Sequence, residues 1–363
     1  MNSTYSFVSA LGVLCCSLSL AVPAANAQSK PRLVDAQVQT QAVASGLGQA
    51  FGTIVTGQQS PAWIGYGIAA VPGEHHMCDN CYDSGGCGRT YLEGRRPGVT
   101  IDTTGGKVAL EAPRVAYVFF RVEHGAVQKI RVFSPECELD AGGLPVRWLT
   151  DVNQAESVAL LSSFVRTKVE RANASPSDNA ALMALAQHAD GSATAALDRF
   201  VAAGQPADIR KHAAFWLAAA RGREGFQTLQ RLVRVESDVA FRRELVFPIS
   251  ISHEPGVVDA LIQLAHDSQS GVRSQALFWL AQKAGAKAAG TLADAVANDP
   301  DTEVKTRAVF GLSQLPKEEG VPRLIEVART NRNPAVRKKA MFWLGQSGDP
   351  RATAFFEEIL RGK

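Results

Sequence analysis

The residues best suited to chemistry in this chain crowd into one short stretch. It reads His75-His76-Met77-Cys78-Asp79-Asn80-Cys81-Tyr82, with Cys87 just beyond and Cys137 further on. Thiolates and imidazoles at this spacing suit zinc, which takes sulfur and nitrogen ligands together. A Cys-x-x-Cys pair also suits thiol–disulfide exchange where its surroundings lower a thiol pKa. Haem attachment is excluded, because Tyr82 stands where a c-type site requires His. Zinc and redox chemistry both lack their usual context. A structural zinc site commonly shows a second paired motif, and Cys137 has no companion in sequence. A redox pair opens a helix, whereas Ser84-Gly85-Gly86 marks a loop. The expectation is therefore disulfide bonding among Cys78, Cys81, Cys87 and Cys137, with Cys137 reaching back to the loop. A metal site built from His75, His76, Cys78, Cys81 and Cys87, or a redox pair, is the alternative.

The N-terminus supports an oxidising destination. Phe7 to Val22 is an apolar run, followed by the small-x-small sequence Ala25-Asn26-Ala27 before Gln28. That is the layout of a cleavable signal peptide over residues 1–27, and the run is too short for a comfortable membrane span. Met1 to Tyr5 lack the usual Lys or Arg. A lipid anchor on Cys15 or Cys16 is disfavoured, since Leu14 stands where a small residue is wanted. Cleavage would leave four cysteines, an even number, which in an exported chain favours disulfides. The net charge of +3 demands no anionic partner, and the 46% hydrophobic content supports ordered domains. The chain is expected to be periplasmic or extracellular, with no stable membrane span once the signal is removed.

Composition then changes along the chain. Residues 28–60 are rich in Gln, Ala, Ser, Val and Gly, which predicts a flexible or helical leader. Residues 61–150 predict a small β-rich, cysteine-containing domain. Val115 to Val122 and Val127 to Phe133 flank Glu123-His124-Gly125-Ala126, a hairpin pattern in which Gly125 supplies positive φ. Ile64 to Val71 and Val108 to Leu110 are weaker strand candidates.

Beyond residue 150 the chain repeats. Phe215, Phe247, Phe278, Phe310 and Phe342 recur at intervals of 32, 31, 32 and 32 residues. Six residues before each stands Ile209, Phe241, Val272, Val304 or Val336, followed by a base: Arg210, Arg242, Arg273, Lys305 or Arg337. A fixed period of this length marks a solenoid of stacked helix pairs. The five Phe residues, with Trp216, Trp279 and Trp343 after alternate ones, are expected to form the repeat core. Pro248 and Gly311 occupy the intervening positions, so packing of each Trp beside a smaller neighbour is favoured over a surface row that grips a peptide or glycan. The basic row is expected to ladder with acids of adjacent joints, namely Glu236, Asp238, Asp267, Asp299 and Asp301.

The pattern Val272-Arg273-x-x-Ala276-Leu277-Phe278-Trp279-Leu280 resembles the HEAT repeat. Together with Val336-Arg337-Lys338-Lys339-Ala340-Met341-Phe342-Trp343-Leu344, it is similar to exported bacterial HEAT-repeat proteins with the short repeats named after phycobilisome lyases. The resemblance covers roughly residues 155–363. It implies a mainly α fold, a right-handed α-solenoid over 151–363, and binding of a protein partner on the concave face formed by each second helix. HEAT-repeat enzymes such as deoxyhypusine hydroxylase hold iron through several His-Glu pairs, but here only His253-Glu254 qualifies. HEAT-like DNA glycosylases use a basic groove, which the acid-matched ladder and the signal sequence argue against. The expected function is a non-catalytic exported scaffold with no cofactor and no nucleic acid, its partner unidentified by sequence. The alternative is a metal or redox protein centred on the His75–Cys87 loop.

Overall fold

The computed structural model describes residues 30–72, 77–78, 89–94, 114–165 and 180–362. The signal segment, the 108–110 strand candidate, His75, His76, Cys81 and Cys87 lie outside these residues. In chain order the N-terminal elements are β1 (Arg32–Val34), β2 (Gln37–Ala42), α1 (Leu47–Gly57), β3 (Ala62–Ala69) and β4 (Thr90–Tyr91). They continue with β5 (Val115–Glu123), β6 (Ala126–Phe133), β7 (Glu138–Asp140) and β8 (Pro145–Thr150). The larger sheet has the order β2-β8-β3-β5-β6, and the smaller one β1-β7-β4. The expected hairpin is β5–β6, turning through His124 and Gly125 at φ 53° and 71°.

The leader is different from expectation. Residues 28–60 do contain a helix lying on the sheet, but β1 and β2 are strands of the sheets themselves. Both pair in parallel with strands over a hundred residues away, β1 with β7 and β2 with β8. Such partners leave no local pattern, and the polar β2 sequence Gln-Val-Gln-Thr-Gln-Ala has no apolar run to announce it.

Strand β5 alternates its side chains between two cores rather than between core and water. Tyr117 and Phe119 join Trp63, Phe133, Cys137, Leu139 and Trp148 on one face. Ala116, Val118 and Phe120 face the other way, into a core continuous with the helices that follow. A sheet buried on both faces reads as an unbroken apolar run, as β5 does. Gly65 permits the first core to close, since a Cβ there would lie 2.7 Å from the Phe119 ring. Cys78 and Cys137 are joined in a disulfide at the rim of this core, their Cα atoms 5.5 Å apart.

The helices are α2 (Gln154–Ser163), α3 (Ala180–Gln187), α4 (Ser192–Val201), α5 (Ala207–Ala220), α6 (Gly222–Val235), α7 (Val239–Glu244) and α8 (Val246–Ile251). Then come α9 (Val257–Leu264), α10 (Ser270–Ala284), α11 (Ala289–Asn298), α12 (Thr302–Ser313), α13 (Lys317–Thr330), α14 (Pro334–Gln346) and α15 (Pro350–Leu360). From α4 onward they form stacked pairs, with the second helix of the α6 pair split into α7 and α8. Pro248 explains the split: its ring lacks an N–H and opposes the carbonyl of Glu244, where α7 ends. Asp238, Asp301, Asn333 and Asp349 accept backbone N–H groups as N-caps of second helices and of α15.

The ladder of bases has a more specific form than expected. Arg210 pairs with Glu236, Arg242 with Asp267 at 2.5 Å, and Arg273 with both oxygens of Asp299 at 2.7 and 2.9 Å. Each of these acids also accepts the backbone N–H two residues on, which ties one layer's helix to the next layer's turn. Asp238 and Asp301 are the caps rather than the rungs. Lys305 donates instead to the Ala297 carbonyl in the last turn of α11, and Arg337 to the Asn331 carbonyl of its preceding joint.

The core of the repeats needs the larger correction. Val272, Ala276 and Leu280 are fully buried, as are Val304, Ala308, Leu312 and their counterparts in α14. The phenylalanines that mark the period are not: Phe247 is 41% and Phe342 52% exposed, and Phe215, Phe278 and Phe310 are half-buried. Helical geometry accounts for this. At about 100° per residue, a side chain lies between about 120° and 200° around the helix from those at −6, −2 and +2. The core row and the Phe row therefore occupy different faces. Trp216, Trp279 and Trp343, one residue on, lie between them and pack partly on the core.

Leu280→Ala should destabilise the protein by roughly 2–5 kcal/mol through cavity formation. Phe342→Ala should cost about 1 kcal/mol or less. Urea titration of both variants checks the assignment of faces, and equal losses would refute it. Cys137→Ala opens a link between residues 59 apart in sequence. It should cost about 4 kcal/mol by the loop-closure relation. The measurement is the difference in unfolding midpoint between oxidised wild type and the variant.

Candidate functional site

The phenylalanines displaced from the core meet one another across the layers. Phe247 lies 5.2 Å from Trp279, which is 4.9 Å from Phe278. Phe278 stacks on Phe310 at 6.0 Å with an 11° angle between ring planes. Phe310 then meets Trp343 at 5.2 Å, and Trp343 meets Phe342 at 5.0 Å. Six rings thus run unbroken across α8, α10, α12 and α14. Phe215 and Trp216 form a separate contact on α5, 5.1 Å apart. Trp279 and Trp343, two repeats apart, are bridged by the Phe278 and Phe310 rings.

Cations lie over this row. The Arg307 guanidinium is 5.8 Å from the centre of the Phe278 ring. The Lys339 ammonium is 5.2 Å from Phe342 and 5.4 Å from Trp343. Attraction of a cation to a ring face contributes about 0.5–1 kcal/mol at exposed sites. Four residues after the last three phenylalanines stand Gln282, Gln314 and Gln346, all exposed. One turn apart on a helix, each Phe and its Gln share a face. A pocket of about 250 Å³ opens between α12, α13 and α14, lined by Gln314, Val321, Leu324, Trp343 and Gln346 among others, with Trp343 the one ring of the row that borders it. An exposed apolar row rimmed by polar groups is the usual mark of an interaction surface.

A second constellation, unforeseen from the sequence, lies where sheet meets helices. Ser157 Oγ on α2 donates to Tyr66 Oη on β3 at 2.9 Å and lies 2.9 Å from His188 Nε2. The His188 carbonyl accepts from Arg221, which also donates to Thr194. A serine beside a histidine has the contact of a nucleophile with its base. Here all three side chains are fully buried, so no substrate reaches them. Burial holds the His188 imidazole neutral, with its pKa lowered to about 4, and pushes the Tyr66 phenol well up. The backbone of residues 187–189 pairs with the end of β3 around Ala70. This is a polar joint that fixes the sheet to the solenoid. His188 and Ser157 carry no local motif, and only the fold brings them within reach of Tyr66.

The cysteine loop is reduced as a metal site by one observation. Cys78 is bonded to Cys137, and a bonded sulfur offers no thiolate. Of the candidate metal set, His75, His76, Cys81 and Cys87 are outside the described residues. Among the described residues no group of three His, Cys, Asp or Glu side chains is placed to hold a metal ion.

The family model for HEAT repeats matches residues 288–363. That span holds α11 to α15 and the three C-terminal rings of the row. No curated protein matches the chain. Among solved structures, an engineered protein is 21% identical, the overlap covering 46% of this chain and 84% of that one at a TM-score of 0.31. Human deoxyhypusine hydroxylase in complex with glycerol is 17% identical, over 56% of this chain and 89% of that one, at 0.29. The complex of CpcE and CpcF of phycocyanin lyase from Nostoc sp. is 16% identical, over 56% and 80%, also at 0.29. Overlaps this loose carry no argument.

The joint at His188 has a measurable signature. Its folded pKa of about 4 lies below the ordinary value of 6.5, so the unfolded chain takes up the proton first. This group's contribution to stability is full above pH 6.5 and is lost as the pH falls toward 4. The loss is on the order of 3 kcal/mol at 1.36 kcal/mol per pH unit. His188→Gln should flatten that part of the stability–pH curve, measured by denaturant titration at successive pH values. An unchanged slope would remove His188 from the account.

Proposed function

We propose that this chain is an exported, non-catalytic scaffold. Its right-handed solenoid of HEAT-type repeats, akin to the short kind named after phycobilisome lyases, binds a protein partner along the face formed by the second helices. The observation that carries this reading is the continuous, half-exposed aromatic row from Phe247 to Phe342. Aromatic residues and arginine are among the side chains enriched at protein interfaces. The Ser157–His188 contact is sealed from substrate, and the disulfide leaves Cys78 no thiolate for a metal. The apolar run before Gln28 and the Cys78–Cys137 bond both suit a protein secreted into an oxidising compartment. In the described residues no helix is long and apolar enough to cross a membrane.

Expression from Met1 in a bacterial host should yield a mature chain beginning at Gln28 in the envelope or the medium, read by N-terminal sequencing. A photo-reactive phenylalanine analogue at position 342 should cross-link to another protein there. The same analogue at exposed Gln227, on the first helix α6, should not. Equal labelling from both positions, or none from either, would sink the scaffold reading.

A further inference from the structure

We propose that the free edge of β2 takes up an extended segment of a partner protein as a sixth strand of the larger sheet, with carboxylates alternating with β-branched residues along that segment. The β2 edge and the aromatic row lie on different elements, so a result at one leaves the other standing.

Backbone parity decides which groups are free. β2 pairs in parallel with β8, and the Gln37 and Val43 N–H groups donate to the Leu144 and Thr150 carbonyls at 3.4 and 3.0 Å. Successive residues of a strand aim their N–H and C=O groups to opposite sides, so Val38, Thr40 and Ala42 aim theirs away from β8. All three residues are exposed, and these backbone groups have no partner among the described residues.

Sheet edges are guarded by short length, charge, proline, bulges or a covering element. The other described edges follow this rule. β1 and β4 are three and two residues long, and β6 carries Lys129 and Arg131 and packs against α3. β2 runs for six residues, Gln-Val-Gln-Thr-Gln-Ala, in unbroken register and with neither charge nor proline. An edge in this state is a template for another strand.

The two faces of the edge set what that strand carries. Val38 and Thr40 are in register with Val146 and Trp148 and share their face, toward the core of Trp63 and Phe119. Val38 is 42% exposed at this rim, and a β-branched residue opposite it extends the cover. Gln39 and Gln41 share the other face with Arg147 and Leu149. There a cleft of about 400 Å³ opens between the β2 side of the sheet and α1, lined by Gln41, Ser45, Thr53, Ile54, Gln58 and Arg147 among others, with no carboxylate. The half-buried Arg147 donates to the Gln41 side-chain oxygen at 3.1 Å and pairs with no acid among the described residues. The acids that follow β8 are engaged elsewhere, Asp151 by Thr150 and Glu156 by the Leu47 N–H.

Strands stand about 4.8 Å apart, so a residue opposite Gln39 lies about 10 Å from Arg147 across β2. A glutamate and an arginine side chain together span that distance. A carboxylate there supplies the charge that Arg147 lacks, whereas a Lys meets it with repulsion. A second copy of the chain suits the edge less well, since its own β2 brings no carboxylate.

The test uses the full chain and a fluorescently labelled, capped peptide Glu-Thr-Glu-Val-Glu-Thr-Glu, followed by anisotropy and by hydrogen exchange. Saturable binding is expected, with exchange slowed over residues 37–43 and unchanged on the second helices. In an antiparallel pair the Thr and Val amides of the peptide face β2. Methylating those amide nitrogens, or replacing each Glu by Lys, should weaken binding at least about tenfold, a loss of about 1.4 kcal/mol. Arg147→Gln should weaken the Glu peptide by a similar factor. Thr40→Pro removes an outward N–H, a change that edge strands tolerate, and should abolish binding with circular dichroism unchanged. Equal binding of the methylated peptide would mean contact without strand pairing and would overturn the proposal, whether or not the proline variant folds. So would the absence of saturable binding, a folded Arg147→Gln protein that binds as tightly as wild type, or slowed exchange confined to α12 and α14. Sedimentation that shows a dimer dissolved by Thr40→Pro would assign the edge to a second copy of the chain and likewise overturn it.

Discussion

The solenoid depends on how closely successive second helices approach, and small side chains set that distance. Ala276, Ala308 and Ala340 are fully buried at the −2 position of their repeats. Alanine has no rotamers to lose on burial and lets helix axes come near the short end of the usual range. Gly311, one residue after its Phe, lies against both neighbours: a Cβ there would be 3.4 Å from Ala281 on α10 and 2.5 Å from Leu292 on α11. That approach brings the Phe278 and Phe310 rings to 6.0 Å and puts the Asp299 carboxylate within reach of Arg273. Where Leu245 replaces the alanine, the helix is also the one broken before Pro248. A change in layer spacing would disturb the core, the ion-pair ladder and the aromatic row together.

The sheet and the solenoid are bound by a shared need to cover apolar surface. A stack of repeats exposes a raw face at each end unless a cap covers it. At the N-terminal end the inner face of the β3–β5 sheet provides that cover, continuing the helical core through Tyr66, Phe120 and Ile68. Its outer face then needs a core of its own, held by Trp63, Trp148 and Phe119 and closed at the rim by the disulfide. At the other end α15 is pinned by Arg351, which bonds Asp349 and Glu318, and by Arg329 to Glu358. At this end too apolar burial contributes, through Ala352 and Phe355 of α15, with the exposed ion pairs adding little to it.

Much of this fold was legible in the sequence because its determinants are local and repeated. The 32-residue period, the β5–β6 turn at Gly125 and the Arg273–Asp299 type of rung all follow from spacing within one or two repeats. The parallel pairings of β1 and β2 depend on partners more than a hundred residues away and leave no such trace. The joint of Tyr66, Ser157 and His188 is invisible for the same reason. The aromatic row was a different failure, since its residues were identified but assigned to the core. Recurrence at a fixed position in every repeat says that a residue shares a face, not which face is buried. The helical angle separating Phe278 from Val272, Ala276 and Leu280 was the available signal that it faced elsewhere.

A row of rings half open to water carries a hydrophobic cost that the unliganded protein must offset. Here the offset comes from Arg307 and Lys339, whose charged groups lie over the ring faces. The arrangement constrains what can bind. A neutral apolar ligand would strip water from those cations and give nothing back, a penalty that burial magnifies. A ligand with its own carboxylates keeps each cation on its ring and neutralises it in place. Arg307 and Lys339 would in this way impose a desolvation cost on any partner that leaves them unpaired.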